Sequence, residues 1–247
     1  MKLLITAGGS TTPIDRLRVM SAIARGRSIT KLVSTAWQRG HELVVVTSTS
    51  EVLADVPTEG SEAQRVVVVG YQTQDDLLEL LPQCIHSQRP DAIIHAASLS
   101  EYVAAGVYVP EVGTLFNTRA RQWEATAGTP KLNDVKTNRS RVIDPEQWLR
   151  LVRAPRVIER AKSQWGFKGV LVLFRTEQEM TDLQLVESAE HARAEAAADV
   201  CLIGTVDGET TGSFLGPISG KYERITRREL AERVLAVVED LHRTRIG

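Results

Sequence analysis

Residues 3–28 read LLITAGGSTTPIDRLRVMSAIARGRS, and the start of this stretch decides the fold. A short apolar run ends in a pair of glycines, Gly8 and Gly9, followed by a small hydroxyl residue. Further along, apolar residues recur at helical spacing as far as Trp37, and Gly40 stands where a left-handed helix C-cap is expected. A second apolar run follows at 43–47. The pattern predicts a β-α-β unit.

The rest of the chain repeats this alternation of apolar runs and helical patterns. Strands are predicted at 3–6, 43–47, 66–69, 93–95, 170–174 and 200–203, and their continuous hydrophobicity is typical of strands covered on both faces. Further helices are predicted from about Thr73, with Pro82 expected to kink or end that helix, around 187–197 and at 227–243. The fold class is therefore α/β, with a mainly parallel, doubly wound sheet.

Residues 104–145 do not fit this alternation, because they mix glycines, prolines, aromatics and polar clusters without a stable period. We expect one α/β domain over residues 1–247, with 104–145 inserted as an irregular arm or flap. The first part of the arm, GVYVPEVGTLF, has enough β-branched residues to pair as a hairpin or across a dimer.

Composition and charge bound the classes of partner. The chain has 30 basic and 31 acidic residues, so its overall balance gives no reason to expect a nucleic-acid or membrane partner. Cys84 and Cys201 show neither metal-ligand nor redox spacing and are expected to be reduced and buried. The sequence has no membrane-spanning run and no signal-peptide pattern, which favours a cytoplasmic protein.

The glycine turn lies where open parallel sheets bind ligands, at the carboxyl end of a strand and before a helix. Backbone N–H groups there are available to an anion. The sequence TAGGS matches neither the dinucleotide pattern G-x-G-x-x-G nor the phosphate-loop pattern G-x-x-x-x-G-K-[ST]. A tight turn that holds no ligand therefore remains an alternative.

A series of motifs along the chain resembles the phosphopantothenate–cysteine ligase family, the phosphopantothenoylcysteine synthetases of coenzyme A biosynthesis. The motifs are ITAGGSTTPIDRLRVMSAIARGRS, IIHAASLSEY, APRVIERAK, LVLFRTE and AADVCLIG, in the family's order and spacing. The resemblance implies a Rossmann-like fold, a homodimer and a ligase that uses Mg²⁺ and a nucleoside triphosphate, CTP in most bacteria and ATP in eukaryotes. The triphosphate activates the carboxylate of 4′-phosphopantothenate, and cysteine then displaces the nucleotide.

The resemblance also implies roles for individual residues. Seven residues are implied to bind the nucleotide. Gly8 and Gly9 would form the floor of the site, and Gly26 would be the glycine of the phosphate loop. The small residues beside the nucleotide would be Ala96, Ala97 and Ser98, and Phe174 would lie against the base. Three residues resemble the family's Ser-Asp-aromatic continuation and are expected to bind substrate: Ser100, Glu101 and Tyr102. An aromatic at a buried strand end is also commonly a core residue, so that alternative stays open for Phe174.

This chain departs from the family in three places. The family's Asn-Arg-Ser-Ser-Gly becomes Ala-Ile-Ala-Arg-Gly at 22–26, and its Lys-x-Lys-Lys becomes Arg-Ser-Arg-Val at 139–142. Arg139 therefore stands in place of a catalytic lysine, and Gly204 stands where the family's Ala-Asn-Asp has its asparagine. Basic residues nearby can rebuild an anion pocket or simply be solvated charges: Arg16, Arg18, Arg25, Arg27, Lys131, Lys136, Arg139 and Arg141.

Three functions follow as hypotheses. The first is a divergent ligase in which Arg139 is the cation on the developing phosphate charge. The second is a non-catalytic homologue that binds a nucleotide or a pantothenate derivative and has lost the ligase residues. The third, an NAD(P)-dependent oxidoreductase, is disfavoured because the glycine fingerprint is absent and no acidic residue clearly awaits a ribose at the end of the second strand.

Overall fold

The structure, a computed structural model, describes residues 1–21, 27–57, 60–135, 146–205 and 212–247. The chain divides into two compact units. The first comprises Met1–Ser10, Ile23–Leu99 and Arg156–Gly247, and the second comprises Thr11–Ala22 and Ser100–Pro155. The predicted arm, 104–145, falls inside the second unit, which also takes in the segment that follows the glycine turn.

The described residues form strands and helices with the following bounds. The strands are β1 (Lys2–Ala7), β2 (Thr11–Pro13), β3 (Val19–Ser21), β4 (Glu42–Thr47), β5 (Val66–Gly70), β6 (Ala92–His95), β7 (Tyr102–Pro110), β8 (Thr114–Asn117), β9 (Gln122–Ala125), β10 (Leu132–Asp134), β11 (Trp148–Arg153), β12 (Val170–Glu177), β13 (Val200–Thr205), β14 (Ser213–Ile218) and β15 (Lys221–Ile225). The helices are α1 (Arg27–Gln38), α2 (Gln74–Gln88), α3 (Arg160–Ser163), α4 (Asp182–Glu195) and α5 (Leu230–Ile246). No helix in these ranges is long and apolar enough to cross a membrane.

The first unit is built on an eight-stranded sheet in the order β15-β14-β13-β12-β6-β1-β4-β5. The six strands predicted from the apolar runs are all present and pair in parallel, which confirms the α/β, mainly parallel architecture. Two further strands that were not predicted extend the sheet: β14 pairs antiparallel with β13, and β15 pairs antiparallel with β14. Their sequence carries Gly216 and Pro217 in the middle of β14 and lacks a continuous apolar run.

Helices cover both faces of this sheet, as doubly wound folds require. Leu3 and Ile5 of β1 pack in one buried cluster with residues of α1 and α5, whereas Leu4 packs in the other cluster with residues of α2 and α4. Because neighbouring strand residues point to opposite faces, a strand covered on both sides needs apolar residues at every position. The alternation explains the continuous apolar run of β1.

Two local features differ from the expectations. Helix α2 does not end at Pro82 and runs to Gln88, because the helix is held at its start by a Thr73 capping box and along its length by buried Leu77, Leu81 and Ile85. Strand β5 is not covered on both faces: it is the edge strand of the sheet, and its Val67 and Val68 are 40% and 47% exposed. A β-branched run alone does not distinguish an edge strand from a central one.

The second unit is a set of small antiparallel sheets. Strand β7 lies between β10 and β11, β2 pairs with β3, and β8 pairs with β9. The GVYVPEVGTLF segment therefore supplies β7 and β8, but these strands pair with other partners and not with each other. Three rings, those of Phe116, Trp123 and Trp148, contact one another at centroid distances of 4.6 to 5.2 Å and connect the β8–β9 hairpin to β11.

Candidate functional site

The carboxyl ends of three adjacent parallel strands of the first unit, β4, β1 and β6, lie at the same edge of the sheet. Ser48 follows β4, Gly8 follows β1 and Ala96 follows β6. Ser48 is exposed, Ala96 is partly buried and Gly8 is buried. The carboxyl ends of the strands are the edge at which open α/β sheets bind ligands.

The glycine turn and the segment after β6 are joined by backbone hydrogen bonds. The N–H of Ser98 donates to the carbonyl of Gly8 at 2.8 Å, and the N–H of Ser10 donates to the carbonyl of Ser98 at 3.0 Å. Gly9 and Ser98 form an isolated parallel bridge beyond the regular strands. The structure therefore brings together five of the residues named from the sequence: Gly8, Gly9, Ala96, Ala97 and Ser98.

Gly8 is required at its position for two reasons. Its φ of +88° lies in the left-handed region, which residues with a Cβ rarely adopt. A Cβ added there would stand 2.2 Å from the Oγ of Ser48 and 3.1 Å from its backbone nitrogen. Glycine therefore allows the chain to turn out of β1 directly against the end of β4.

A buried polar pair, Thr6 on β1 and His95 on β6, lies next to the same strand ends and binds their backbone. The Oγ1 of Thr6 lies 2.8 Å from the Nδ1 of His95, and the two residues are 0% and 7% exposed. The same oxygen accepts hydrogen bonds from the N–H groups of Ala96 at 3.2 Å and Ala97 at 3.3 Å. Burial, assisted by the positive charge of Arg175, lowers the pKa of His95 to about 4, so the imidazole is neutral at physiological pH.

Phe174 lies next to this region, within β12. The pairing of Leu173 with His95 places Phe174 level with Ala96, and both side chains are partly buried against the cluster that also contains residues of α1 and α5. The strand continues to Glu177, so Phe174 does not end it as the sequence predicted. Its ring is partly core and partly accessible, and both interpretations of Phe174 therefore remain compatible with its position.

Gly204 near the end of β13 is not simply an empty position. A Cβ at Gly204 would stand 2.7 Å from the Oγ of Ser213, which lies on the antiparallel strand β14. The Ser213 hydroxyl therefore occupies space that an asparagine side chain at this position would need.

The predicted substrate residues belong to the second unit. The Ser100 hydroxyl donates to the carbonyl of Tyr102 at 2.7 Å, the carbonyl of Glu101 accepts from the N–H of Ala154 at 2.9 Å, and Tyr102 is 43% exposed. The Arg153 guanidinium lies 6.0 Å from the centroid of the Tyr102 ring. These contacts fix the start of β7, and the Tyr102 ring keeps an exposed surface.

Two of the named residues, Gly26 and Arg139, lie outside the described residues, as do Ala22 and the basic residues Arg25, Lys136 and Arg141. Arg18 is described, and its guanidinium is engaged within the second unit by the carboxylate of Asp15 and the amide oxygen of Gln147. Asp15 also accepts from the backbone N–H groups of Leu17 and Arg18, and these bonds, with the Arg18 charge, hold its pKa below the usual range. In the P-I-D part of the motif, Pro13 therefore ends β2, and Ile14 and Asp15 begin the turn to β3.

Sequence reasoning missed the two residues that hold the strand ends in place, Thr6 and Ser48. A signal was available for Thr6, since it is the one hydroxyl side chain inside the apolar run of β1. No such signal marks Ser48, whose role depends on a contact across the sheet. Within the described ranges, no group of three or more His, Cys, Asp or Glu side chains is placed to hold a metal ion.

The mainly parallel sheet with helices on both faces defines a Rossmann-like α/β protein, and the chain is similar to several known proteins. Residues 1–109 match the family model described as the DNA/pantothenate metabolism flavoprotein C-terminal domain. The chain is 22% identical over 246 residues to the coenzyme A biosynthesis bifunctional protein CoaBC of Thermococcus kodakarensis, covering 97% of this chain and 51% of that protein. The chain thus spans about half the length of the curated relative it matches.

Solved structures agree on the fold. The DNA/pantothenate metabolism flavoprotein from Streptococcus pneumoniae superimposes with a TM-score of 0.75 at 19% identity, covering 97% of this chain and 99% of that one. The C-terminal domain of a CoaBC protein gives 0.63 at 19% identity, covering 96% and 93% of the two chains. A Cab2 variant in complex with phosphopantothenate–cysteine gives 0.67 at 12% identity, covering 98% and 86%. The family model over residues 1–109 and the curated relative thus confirm the resemblance to the phosphopantothenate–cysteine ligase family that the motifs indicated.

Proposed function

We propose that this protein joins 4′-phosphopantothenate to cysteine through an acyl-nucleotide intermediate, using CTP or ATP. The observation that carries the proposal is the joined pair of strand ends, Gly8–Ser10 and Ala96–Ser98, at the ligand-binding edge of a sheet whose family is that of the phosphopantothenoylcysteine synthetases. Small residues on both segments leave room for a nucleotide to lie against the backbone.

The proposed reaction has two steps. A carboxylate oxygen of 4′-phosphopantothenate attacks the α-phosphorus of the triphosphate, and the bond to the β-phosphate breaks to release pyrophosphate. The amine of cysteine then attacks the acyl carbon, loses a proton and expels the nucleoside monophosphate. Mg²⁺ held by the phosphates of the triphosphate would offset their negative charge as the carboxylate attacks. The described residues offer no separate cluster for a resident metal ion.

Isothermal titration with CTP, ATP and NADPH tests the nucleotide, and Gly9→Val tests the turn. Gly9 pairs with Ser98 at the proposed floor, so a β-branched side chain there is expected to block the nucleotide while the sheet remains folded. Gly70→Val is the matched control, because Gly70 ends β5 in the same sheet and an added Cβ meets nothing within 4 Å. Equal affinities for the wild type and Gly9→Val would refute the assignment of this turn to the site.

A second candidate, a nucleotide-binding homologue without turnover, is favoured by Gly204, where Ser213 occupies the space of the family's asparagine side chain. Pyrophosphate release with 4′-phosphopantothenate and cysteine separates the two functions. We expect release well below that of a relative with all three motifs, since each lost contact to the transition state typically costs about 3 kcal/mol, on the order of a hundredfold. The variant Ala22→Asn/Arg139→Lys/Gly204→Asn, combined with Ser213→Ala to make room, should raise the rate. An unmodified chain as fast as an intact relative would refute the loss of function.

We also propose that the protein is a homodimer formed through the second unit. This unit exposes large apolar side chains along several of its segments: Leu17 (95%), Val112 (103%), Leu115 (49%), Leu132 (39%) and Leu151 (42%). Burial against a second copy would remove this surface from water.

Point substitutions test this interface better than deletion of 107–116, which would remove residues 107–110 of the central strand β7, among them the buried Val107. Val112→Glu and Leu115→Glu should shift sedimentation from two chains towards one. Leu183→Glu, on α4 of the first unit and 69% exposed, should leave the mass unchanged. A monomeric wild type at micromolar concentration would refute the proposal.

A further inference from the structure

Thr6 and His95 lie inside two of the motifs quoted above, ITAGGS and IIHAAS, but neither side chain has been given a role, and the hydrogen bonds of this buried pair carry an inference about the site. Thr6 is the last but one residue of β1, and His95 is the last residue of β6. The pair therefore lies at the strand ends, next to the two segments that form the proposed nucleotide floor. The two strands are paired in register at these residues.

The direction of each hydrogen bond follows from the donor inventory. The N–H groups of Ala96 and Ala97 can only donate, so at 3.2 and 3.3 Å they occupy the two acceptor positions of the Thr6 hydroxyl. The hydroxyl proton then points to the remaining partner, the Nδ1 of His95 at 2.8 Å. Nδ1 must accept, and His95 is therefore the neutral tautomer that carries its proton on Nε2.

The same bonds explain why β6 ends at His95. In a regular strand, consecutive N–H groups point to opposite neighbours. Here the N–H of Ala96 is shared between the carbonyl of Thr6 at 3.0 Å and its hydroxyl at 3.2 Å, and the N–H of Ala97 turns to the same hydroxyl. The backbone at 96–98 thus leaves the strand geometry and then bonds to Gly8 and Ser10.

We propose that Thr6 and His95 are positioning residues, in which the Nδ1 of His95 orients the Thr6 hydroxyl and this hydroxyl sets the backbone of residues 96–98 against the bound nucleotide. The inference rests on the proposed nucleotide site and adds the residues that shape it. Neither side chain contacts the nucleotide in this scheme. A charged imidazole would place a proton on Nδ1 against the hydroxyl proton and break the chain of hydrogen bonds.

Matched substitutions of Thr6 and His95 show whether these residues position the nucleotide site or only stabilise the fold. Thr6→Val keeps the shape of the side chain and removes the hydroxyl, whereas Thr6→Ser keeps the hydroxyl. We expect Thr6→Val to weaken binding of CTP or ATP by about tenfold or more in titration calorimetry, and Thr6→Ser to restore most of the affinity. His95→Leu and His95→Asn form a second pair, since the asparagine oxygen can accept the Thr6 proton and leucine cannot.

The tautomer is measured without any ligand. A long-range ¹H–¹⁵N spectrum of the full chain at pH 7 should show Nδ1 of His95 unprotonated and Nε2 protonated. Protonation on Nδ1, or a charged ring at that pH, would overturn the inference. So would a Thr6→Val variant that melts at a lower temperature but binds the nucleotide as the wild type does, because the hydroxyl would then be purely structural.

Failure of the proposed function and failure of the positioning role give different results. If the wild type binds neither CTP nor ATP, the proposed function fails and the role of the pair towards the nucleotide fails with it, whatever the tautomer. If the wild type binds and the hydroxyl variants do not differ from it, the proposed function stands and only the positioning role is refuted. If Thr6→Val does not fold, the nucleotide affinities of His95→Leu and His95→Asn are compared with that of the wild type instead. The positioning role predicts weaker binding by His95→Leu than by His95→Asn, and equal affinities would refute it.

Discussion

A methyl group at Gly8 tests how tightly the end of β1 is held against the end of β4. In Gly8→Ala, the residue keeps a φ of +88°, which costs a side-chain-bearing residue about 1 to 2 kcal/mol of stability. The new Cβ also stands 2.2 Å from the Oγ of Ser48, so the hydroxyl must leave its rotamer, at a further cost of about 0.5 to 1.5 kcal/mol. The expected loss in the free energy of unfolding is about 2 to 3 kcal/mol.

Gly40 provides the control for the backbone term. Its φ is +85° and an added Cβ meets nothing within 4 Å, so Gly40→Ala reports the strain and the change in unfolded-chain entropy without a clash. The difference between the two variants therefore measures the contact with Ser48, at about 1 kcal/mol. Removing the hydroxyl in Gly8→Ala/Ser48→Ala should bring the loss back to that of Gly40→Ala.

Urea denaturation followed by circular dichroism gives the free energy of unfolding for each of these variants, for Ser48→Ala alone and for the wild type. The reasoning is refuted if Gly8→Ala and Gly40→Ala lose the same stability, or if Ser48→Ala fails to recover the difference. The first result would mean that the end of β4 moves away freely from β1, and the second that the backbone contact at 3.1 Å, and not the hydroxyl, carries the cost.

Three other predictions concern stability and the site. The pKa of His95 falls from 6.5 to about 4 on folding, so the unfolded chain binds more protons than the folded chain between these two values. The protein should therefore lose stability as the pH falls from about 6.5 to about 4, by up to roughly 3 kcal/mol. Denaturation midpoints measured at pH 7 and pH 5 should show this loss in the wild type and not in His95→Asn. Thr73→Ala removes the acceptor of the Asp76 N–H bond at the start of α2 and should cost about 1 kcal/mol in urea, whereas Thr73→Ser should cost far less. Phe174→Leu keeps an apolar contact with the core but loses the ring, and should weaken nucleotide binding on the order of tenfold with little change in melting; an unchanged affinity would make Phe174 a core residue only.

The apolar patterns of the sequence determine most of the first unit. Runs such as the one in β1 are continuous because the central strands are covered by helices on both faces, so the α/β class and the six parallel strands follow from the sequence. The glycine turn was also predictable, since a glycine directly after a strand is where the chain readily takes a positive φ, although β2 and β3, and not a helix, follow Gly8. These features depend on local periodicity and local backbone preference.

Other features were decided by contacts between residues far apart in the sequence. Nothing local distinguishes the edge strand β5 from a central strand, or shows that α2 tolerates Pro82, because both depend on the neighbours that the sheet provides. The Thr6–His95 pair joins residues 89 positions apart, and Ser48 meets Gly8 only because β1 and β4 are adjacent. The sequence by itself thus determined the kind of fold and the place of the turn, while tertiary structure decided which side chains support the turn, since parallel pairing brings distant strand ends to one edge of the sheet.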